Sequence, residues 1–395
     1  NYYINPTSNV WQLLNTKEQN AYIWARDIYK GVGNVADWNG PYQQVLYANV
    51  VLDALMDLKA TPGNQQQWNN LEGAAYFIRA YAFYNLSQVF ALPYDATTKD
   101  SLGIPLKLTP NVDEIIKRAT IEETYSQIIS DLKQAKDLLQ DDVPLSNRNR
   151  PSKPAALAML ARVYVSMRQY DNAMAYADSS LRMYAALMDF NTKDTNSQRP
   201  FDRFNAETLY QSKFVETNVL KAGSATRDYC IVDSLLYKSY APNDLRRLIF
   251  YTTIAGNVNL KGSYNGTTFA FTGLATDELF LIRAEGRARS GDITGALNDL
   301  NTLLVQRFKT GTFVPYTATT AGQALALVLA ERRKELAFRG LRWTDLRRFN
   351  IEGIGYTLQR KINNRVYELY VNSPLYVLPI PQDVIDFNHI QQNTR

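Results

Sequence analysis

The strongest constraint in this chain is a repeated placement of small residues inside helical patterns. Residues 154–180, "PAALAMLARVYVSMRQYDNAMAYADSS", and 277–304, "DELFLIRAEGRARSGDITGALNDLNTLL", each carry two alanines twelve positions apart across a short polar turn: Ala161 with Ala173, and Ala284 with Ala296. A third stretch, "GAAYFIRAYAFY" at 73–84, shares the tripeptide Ile-Arg-Ala, which recurs at 78–80 and 282–284. Small residues at a crossing let two helix backbones approach, while larger residues at helical spacing fill the groove beside them. Antiparallel helix pairs are the expected outcome.

The turns agree with this. Gln169-Tyr170-Asp171 and Ser290-Gly291-Asp292 interrupt the pattern, each with an Asp placed to cap the helix that follows. The spacing resembles tetratricopeptide helix pairs, which stack into solenoids. The fold class expected is therefore mainly α, a tetratricopeptide-like helical-repeat core with long irregular insertions and short β-hairpins. The repeats are assigned to 71–92 with 120–140, 153–187, 276–307 and 321–350, within a single domain spanning 1–395. Insertions fall at 1–42, 93–119 and 188–275. Asn265-Gly266 within "GSYNGTTFAFTG" predicts one hairpin, and "VYELYVNSPLYVLPIP" near the C-terminus predicts a second.

Composition narrows the chemistry. The chain has one Cys (Cys230) and one His (His389), which removes disulfides, Cys-rich zinc sites and multi-His metal sites. His389 is expected as a surface or packing residue. No EF-hand-like spacing is present, so no cofactor is expected, a structural calcium in an Asp- and Asn-rich loop being left open. A net charge of +5 over 395 residues does not call for a nucleic-acid partner. No apolar run reaches the ~18 residues of a membrane helix. The excess is aromatic: 26 Tyr, 16 Phe and 5 Trp, residues suited to interfaces and sugar platforms as well as to cores.

The densest run of charge, "ERRKELAFRGLRWTDLRRF" at 331–349, holds seven Arg or Lys and three acids. On a helix, Glu331 and Glu335 lie one turn apart, Glu335 precedes Arg339 by four, and Arg332 precedes Glu335 by three. Gly340 reads as the helix C-cap, and Asp345 sits three residues from both Arg342 and Arg348. Acids interleave with bases, whereas a phosphate-binding run leaves its bases unpaired. A structural role as surface ion pairs, each contributing little, is the expected one.

This run also resembles the C-terminal motif of the SusD-like (RagB/SusD) outer-membrane nutrient-binding proteins of Bacteroidetes. "YFIRAYAFYNL" (76–86), "FNAETLYQSKF" (204–214), "LIRAEGRARSGD" (281–292) and "LPIPQDVIDFNHIQQN" (378–393) resemble further family elements, in family order over essentially the whole chain. The resemblance implies a non-catalytic, lipid-anchored cell-surface protein of the outer membrane. Such a protein captures a nutrient, usually a glycan, for a SusC-like TonB-dependent transporter, with the repeats facing the transporter and the insertions holding the ligand. The chain is short for the group and lacks the lipidated N-terminal Cys. It opens at Asn1 without Met, so a processed N-terminus is expected, with the anchor outside these residues.

The family places ligand contacts in segments matching 1–42 and 215–272 here. Trp11, with Asn9 and Gln12 beside it, is the platform candidate of the first segment, while Trp24 and Trp38 read as packing. In the second, Arg227, Asp228 and Tyr229 offer a planar donor, an acceptor and an aromatic face, and Tyr251, Tyr264 and Phe269 could extend it. Pyranose C–H faces are apolar and suit aromatic rings, while Asn, Asp and Arg satisfy the hydroxyls. The alternative is a repeat scaffold acting only through protein–protein contacts. A third reading, a glycan-cleaving enzyme, needs two carboxylates about 5–10 Å apart, which linear spacing cannot show.

Overall fold

Two arginines, one in each Ile-Arg-Ala tripeptide, show how the helices are assembled. The computed structural model describes residues 1–6, 9–214 and 229–395. Contacts group the chain into two compact units, each drawn from several stretches of sequence. The first is Asn1–Leu14, Val143–Arg150 and Gln169–Trp343, the second Asn15–Asp142, Pro151–Arg168 and Thr344–Arg395.

In the second unit, helices Ala36–Asp57, Gln65–Phe90, Ile121–Leu138 and Lys153–Ser166 pack each upon the next. Helix Ile121–Leu138 starts where Thr120 and Glu123 form a reciprocal capping box. Its Ile121, Tyr125, Ile128, Leu132 and Ala135 are buried at helical spacing. Buried Arg79 donates to both Asp131 oxygens at 2.8 and 2.7 Å and to Asn49 at 3.0 Å, tying three successive helices together. Bidentate geometry is what makes a buried guanidinium tolerable.

In the first unit, helix Thr276–Ser290 lies against Tyr170–Met183, Ile293–Val305 and Ala321–Glu335. Arg283 repeats the role of Arg79, reaching Asp299 at 3.0 and 2.7 Å and Asp178 at 2.8 Å on two neighbouring helices. Asp292 caps Ile293–Val305 as expected, accepting from the Gly295 amide at 2.8 Å. Asp171 does not cap its helix: Gln169 is the N-cap, and Asp171 sits in the first turn. The same unit holds a four-stranded antiparallel sheet in the order Tyr2–Ile4, Cys230–Val232, Asn257–Leu260, Tyr251–Ile254. Phe190, Phe201, Phe250 and Phe271 pack into the core beside it.

The two halves of the repeat at 153–187 fall in different units, each with its own partners. Lys153–Ser166 packs on Ile121–Leu138, and Tyr170–Met183 packs on Thr276–Ser290. Both expected hairpins are displaced. Asn265 accepts from the Thr267 amide and hydroxyl, and the Tyr264 carbonyl accepts from Asn205, so Asn265-Gly266 closes a loop turn rather than a hairpin. The hairpin here forms at Tyr251–Ile254 and Asn257–Leu260, turning at Ala255-Gly256, both with positive φ. Near the C-terminus the hairpin is Leu358–Ile362 with Arg365–Leu369, one strand earlier than expected, and Asn363-Asn364 supplies the left-handed turn. Among the described residues, no helix is long and apolar enough to cross a membrane.

Close helix approach is tested at Gly286, where an added Cβ would lie 2.7 Å from the Met174 Cβ. Gly286→Val is expected to lower the unfolding free energy by about 1–3 kcal/mol in denaturant titrations. Gly322→Ala, whose nearest neighbour is the Thr320 hydroxyl at 4.0 Å, is expected to be neutral or slightly stabilising.

Candidate functional site

Most of the charged run at 331–349 is buried rather than on the surface. Glu331 and Glu335 project from the same face of helix Ala321–Glu335 onto Arg246, at 2.7 and 2.9 Å. Arg246 also pairs with Asp244 at 2.6 Å, and Glu331 accepts from the Tyr316 hydroxyl at 2.8 Å. The second Glu335 oxygen accepts from Arg307 at 2.7 Å, and Arg307 continues to Glu207 at 2.7 Å and to the Met188 carbonyl at 2.8 Å. Arg246, Arg307, Glu335 and Glu207 are at most 1% exposed. The expected Glu335–Arg339 surface pair gives way to an internal one: Arg339 bonds Asp277 and stacks on Tyr264 and Phe271. Arg332 is likewise buried. In the second unit Arg348 reaches Asp345 at 3.0 Å, as the spacing anticipates. Gly340 is not the helix C-cap, which is Leu336. Gly340 has φ +80° in the following turn, where a Cβ would meet the Phe214 ring at 3.0 Å.

These partners draw the carboxylates of Glu207, Asp277 and Glu335 to within 4.8 Å of one another. Burial pushes the Asp277 carboxyl up to about 7, against the pull of Arg339. For Glu335 burial acts the same way, but Arg307 and Arg246 outweigh it and hold the carboxyl below its usual range. The trio has the proximity of a metal or acid–base site without its access. Guanidinium groups occupy the flanks a cation would need, and the adjoining cavity measures about 20 Å³, room for one water. Asp141, by contrast, pairs with Lys153 at 2.9 Å on the surface.

Of the ligand residues expected from sequence, Tyr229 lies beside the N-terminal strand. The Tyr2–Ile4 strand pairs with Cys230–Val232, and the Asn5 amide donates to the Tyr229 carbonyl at 3.2 Å. Asn9 is exposed, and Trp11 and Tyr229 are half-buried. Arg227 and Asp228 lie outside the described residues. Tyr251 and Tyr264 are core residues, 3% and 6% exposed, and cannot serve as platforms. The Tyr251 hydroxyl meets that of Tyr240 at 2.9 Å, and Tyr264 donates to Glu207. Phe269 is half-buried under Lys213. Trp24 and Trp38 are packed, as read from sequence, with Arg360 lying over the Trp24 ring.

The second unit supplies a cavity of about 760 Å³ between the loop 26–33 and the segment 379–395. Its walls are fixed. Arg395 donates to the Ala25 carbonyl at 3.1 Å, and Asn393 donates to the Phe90 and Leu378 carbonyls at 2.8 Å each. Gln392 accepts from the Ile380 amide at 2.8 Å, and Tyr29 donates to Asp37 at 3.1 Å. Its rim is uncommitted: among the described residues, the side chains of Arg26, Asp27, Lys30 and Asp383 make no hydrogen bond or ion pair. The volume lies in the range of small-ligand pockets. The loop "WARDIYKGVG" belongs to the segment 1–42 named for ligand contact. Its partner 379–395 has no sequence signal for this role, because folding alone brings the two together.

The internal network predicts unequal costs within one helix. Glu335→Ala strands two buried guanidinium groups and is expected to cost about 3–5 kcal/mol in chemical denaturation. Arg333→Ala breaks a partly exposed pair with Asp233 at 2.7 Å and is expected to cost under about 1 kcal/mol.

The geometry has counterparts among known proteins. Residues 3–165 match a SusD-like family described as starch-binding and associating with the outer membrane, and residues 276–394 match the SusD family. The SusD-like protein P2 of Formosa agariphila is 24% identical over 375 residues, 80% of this chain and 72% of that protein. A SusD superfamily protein of Bacteroides thetaiotaomicron has a TM-score of 0.78 at 23% identity, over 95% of this chain and 89% of the other. A laminarin-binding SusD-like protein has a TM-score of 0.69 at 18% identity, over 99% and 90%. The matches at both ends of the chain and the shared helical fold agree with the motifs at 76–86, 281–292 and 331–349: the chain belongs to the SusD-like family.

Proposed function

We propose that this protein is a non-catalytic, cell-surface glycan-binding lipoprotein of the outer membrane, which captures an oligosaccharide for a SusC-like TonB-dependent transporter. The observation that carries the binding role is the cavity at 26–33 and 379–395, whose walls are held by satisfied hydrogen bonds while its rim presents free donors and acceptors. Arg26 and Lys30 donate, and Asp27 and Asp383 accept, which is the mixture that sugar hydroxyls require. A rigid wall keeps the ordering cost of binding low. The laminarin-binding relative and the starch-binding description of the family support a glycan as ligand. The buried pairing of the Glu207, Asp277 and Glu335 carboxylates supports binding without catalysis.

Affinity electrophoresis and calorimetry against a panel of oligosaccharides test this. Binding to at least one glycan class is expected. Arg26→Ala with Asp383→Ala is expected to weaken it tenfold or more, since hydrogen bonds to charged groups contribute about 1.5–3 kcal/mol each. Trp11→Ala with Tyr229→Ala asks whether the first unit adds a platform. Binding to no carbohydrate, or affinity unchanged by the Arg26/Asp383 pair, would contradict the reading. Co-purification with a SusC-like transporter expressed alongside tests the partner.

A further inference from the structure

A second recess in the same unit has a different chemistry. Helices Ala36–Asp57 and Gln65–Phe90, with the loop at 108–110, enclose a groove of about 280 Å³. Its floor is committed: Asn49 donates to the Lys107 and Thr109 carbonyls at 3.0 Å each and accepts from Arg79, whose charge is neutralised by Asp131. Trp68 lines it together with Leu52, Leu55, Met56 and Leu108, and Tyr76 lines it with the Arg79 guanidinium already over its ring at 5.4 Å, which leaves Trp68 as the aromatic face for a further cation. The charged groups left over are both acids. Asp53 and Glu72 have no ion-pair partner among the described residues, although the chain as a whole carries a net charge of +5.

Acceptors without matching cations, beside an aromatic face, suit a positive group. A carboxylate attracts a cation directly, and an aromatic ring attracts it through its quadrupole. The same arrangement repels anionic lipid headgroups. The same helices and loop carry exposed apolar side chains: Val50 at 48%, Met56 at 77%, Leu71 at 49% and Leu108 at 42% exposure, of which Met56 and Leu108 line the recess. Exposed apolar side chains beside a polar rim point to a protein contact rather than to a small-molecule site. A free amine would use the cavity and leave those flanks in water, whereas a peptide segment would cover both.

We propose that this groove docks a segment of a partner protein in which a lysine or arginine, flanked by apolar residues, enters between Asp53 and Glu72. This does not rest on the glycan reading and concerns a separate recess. The test uses the full chain and a fluorescently labelled peptide, acetyl-Leu-Lys-Leu-Leu-Lys-Leu-amide, followed by anisotropy, with the glutamate-for-lysine peptide as its counterpart. Binding of the lysine peptide is expected, together with none of the glutamate peptide. Asp53→Asn with Glu72→Gln keeps shape and removes charge at side chains that have no ion-pair partner among the described residues, so melting should change little while affinity falls about tenfold. Equal binding of the two peptides would show unselective apolar adhesion and overturn the proposal. So would no binding of the lysine peptide, or an affinity unaffected by the double substitution.

Discussion

One carboxylate, that of Glu335, is shared between two buried guanidinium groups, and much of the first unit is arranged around that sharing. Arg246 and Arg307 come from segments far apart in sequence, and each brings further acids with it, Asp244 and Glu331 on one side and Glu207 on the other. A buried charge without a partner costs several kcal/mol, so each of these groups restricts where the others can be. The result is a positional lock. The helix Ala321–Glu335, the segment at 244–246, the strand-bearing segment at 207 and the turn at 307 are held in one geometry that apolar packing alone would specify less sharply. The aromatic core of Phe190, Phe201, Tyr264 and Phe271 closes around it.

The helical layers use a lighter version of the same device. Arg79 and Arg283 occupy equivalent places in their tripeptides, and each joins its helix to two neighbours through carboxylates or an amide. Small residues set the distance between helices, and a paired arginine sets their register. Loops that emerge from such layers can differ freely without loosening them. In the second unit both recesses open where loops or helix ends leave the packed layers, and they differ in the charges left uncommitted. One rim carries both signs and suits neutral hydroxyls; the other carries acids alone and suits a cation.

Helix existence, the packing of the two helices within 276–307 and the Asp292 cap were legible in the sequence because they are local, fixed by spacing within one or two turns. The ion-pair run at 331–349 was legible as structural, since its acids and bases alternate, but its depth was not. Glu335 has Arg339 four residues away, yet its partners are Arg246 and Arg307, and no local pattern announces a pairing across more than twenty residues. For the same reason Tyr251 and Tyr264 looked like surface platforms. An aromatic in a loop-rich insertion is indistinguishable from a core residue until the insertion is seen folded over its own cluster. Asn265-Gly266 carried the hairpin signal, but side-chain bonds from Asn265 and Asn205 captured the backbone first. The loop 26–33, one wall of the cavity, was not singled out from sequence within the segment 1–42, and the other wall comes from the far end of the chain.

Hydrogen exchange in the presence and absence of a saturating oligosaccharide tests most directly whether the protein binds glycan at the cavity while the charged run serves structure. The account predicts slowed exchange along 26–33 and 382–394, with the amides of 331–349 equally protected in both states. Glycan binding that leaves 26–33 and 382–394 unchanged, or that slows exchange within 331–349 instead, would contradict it.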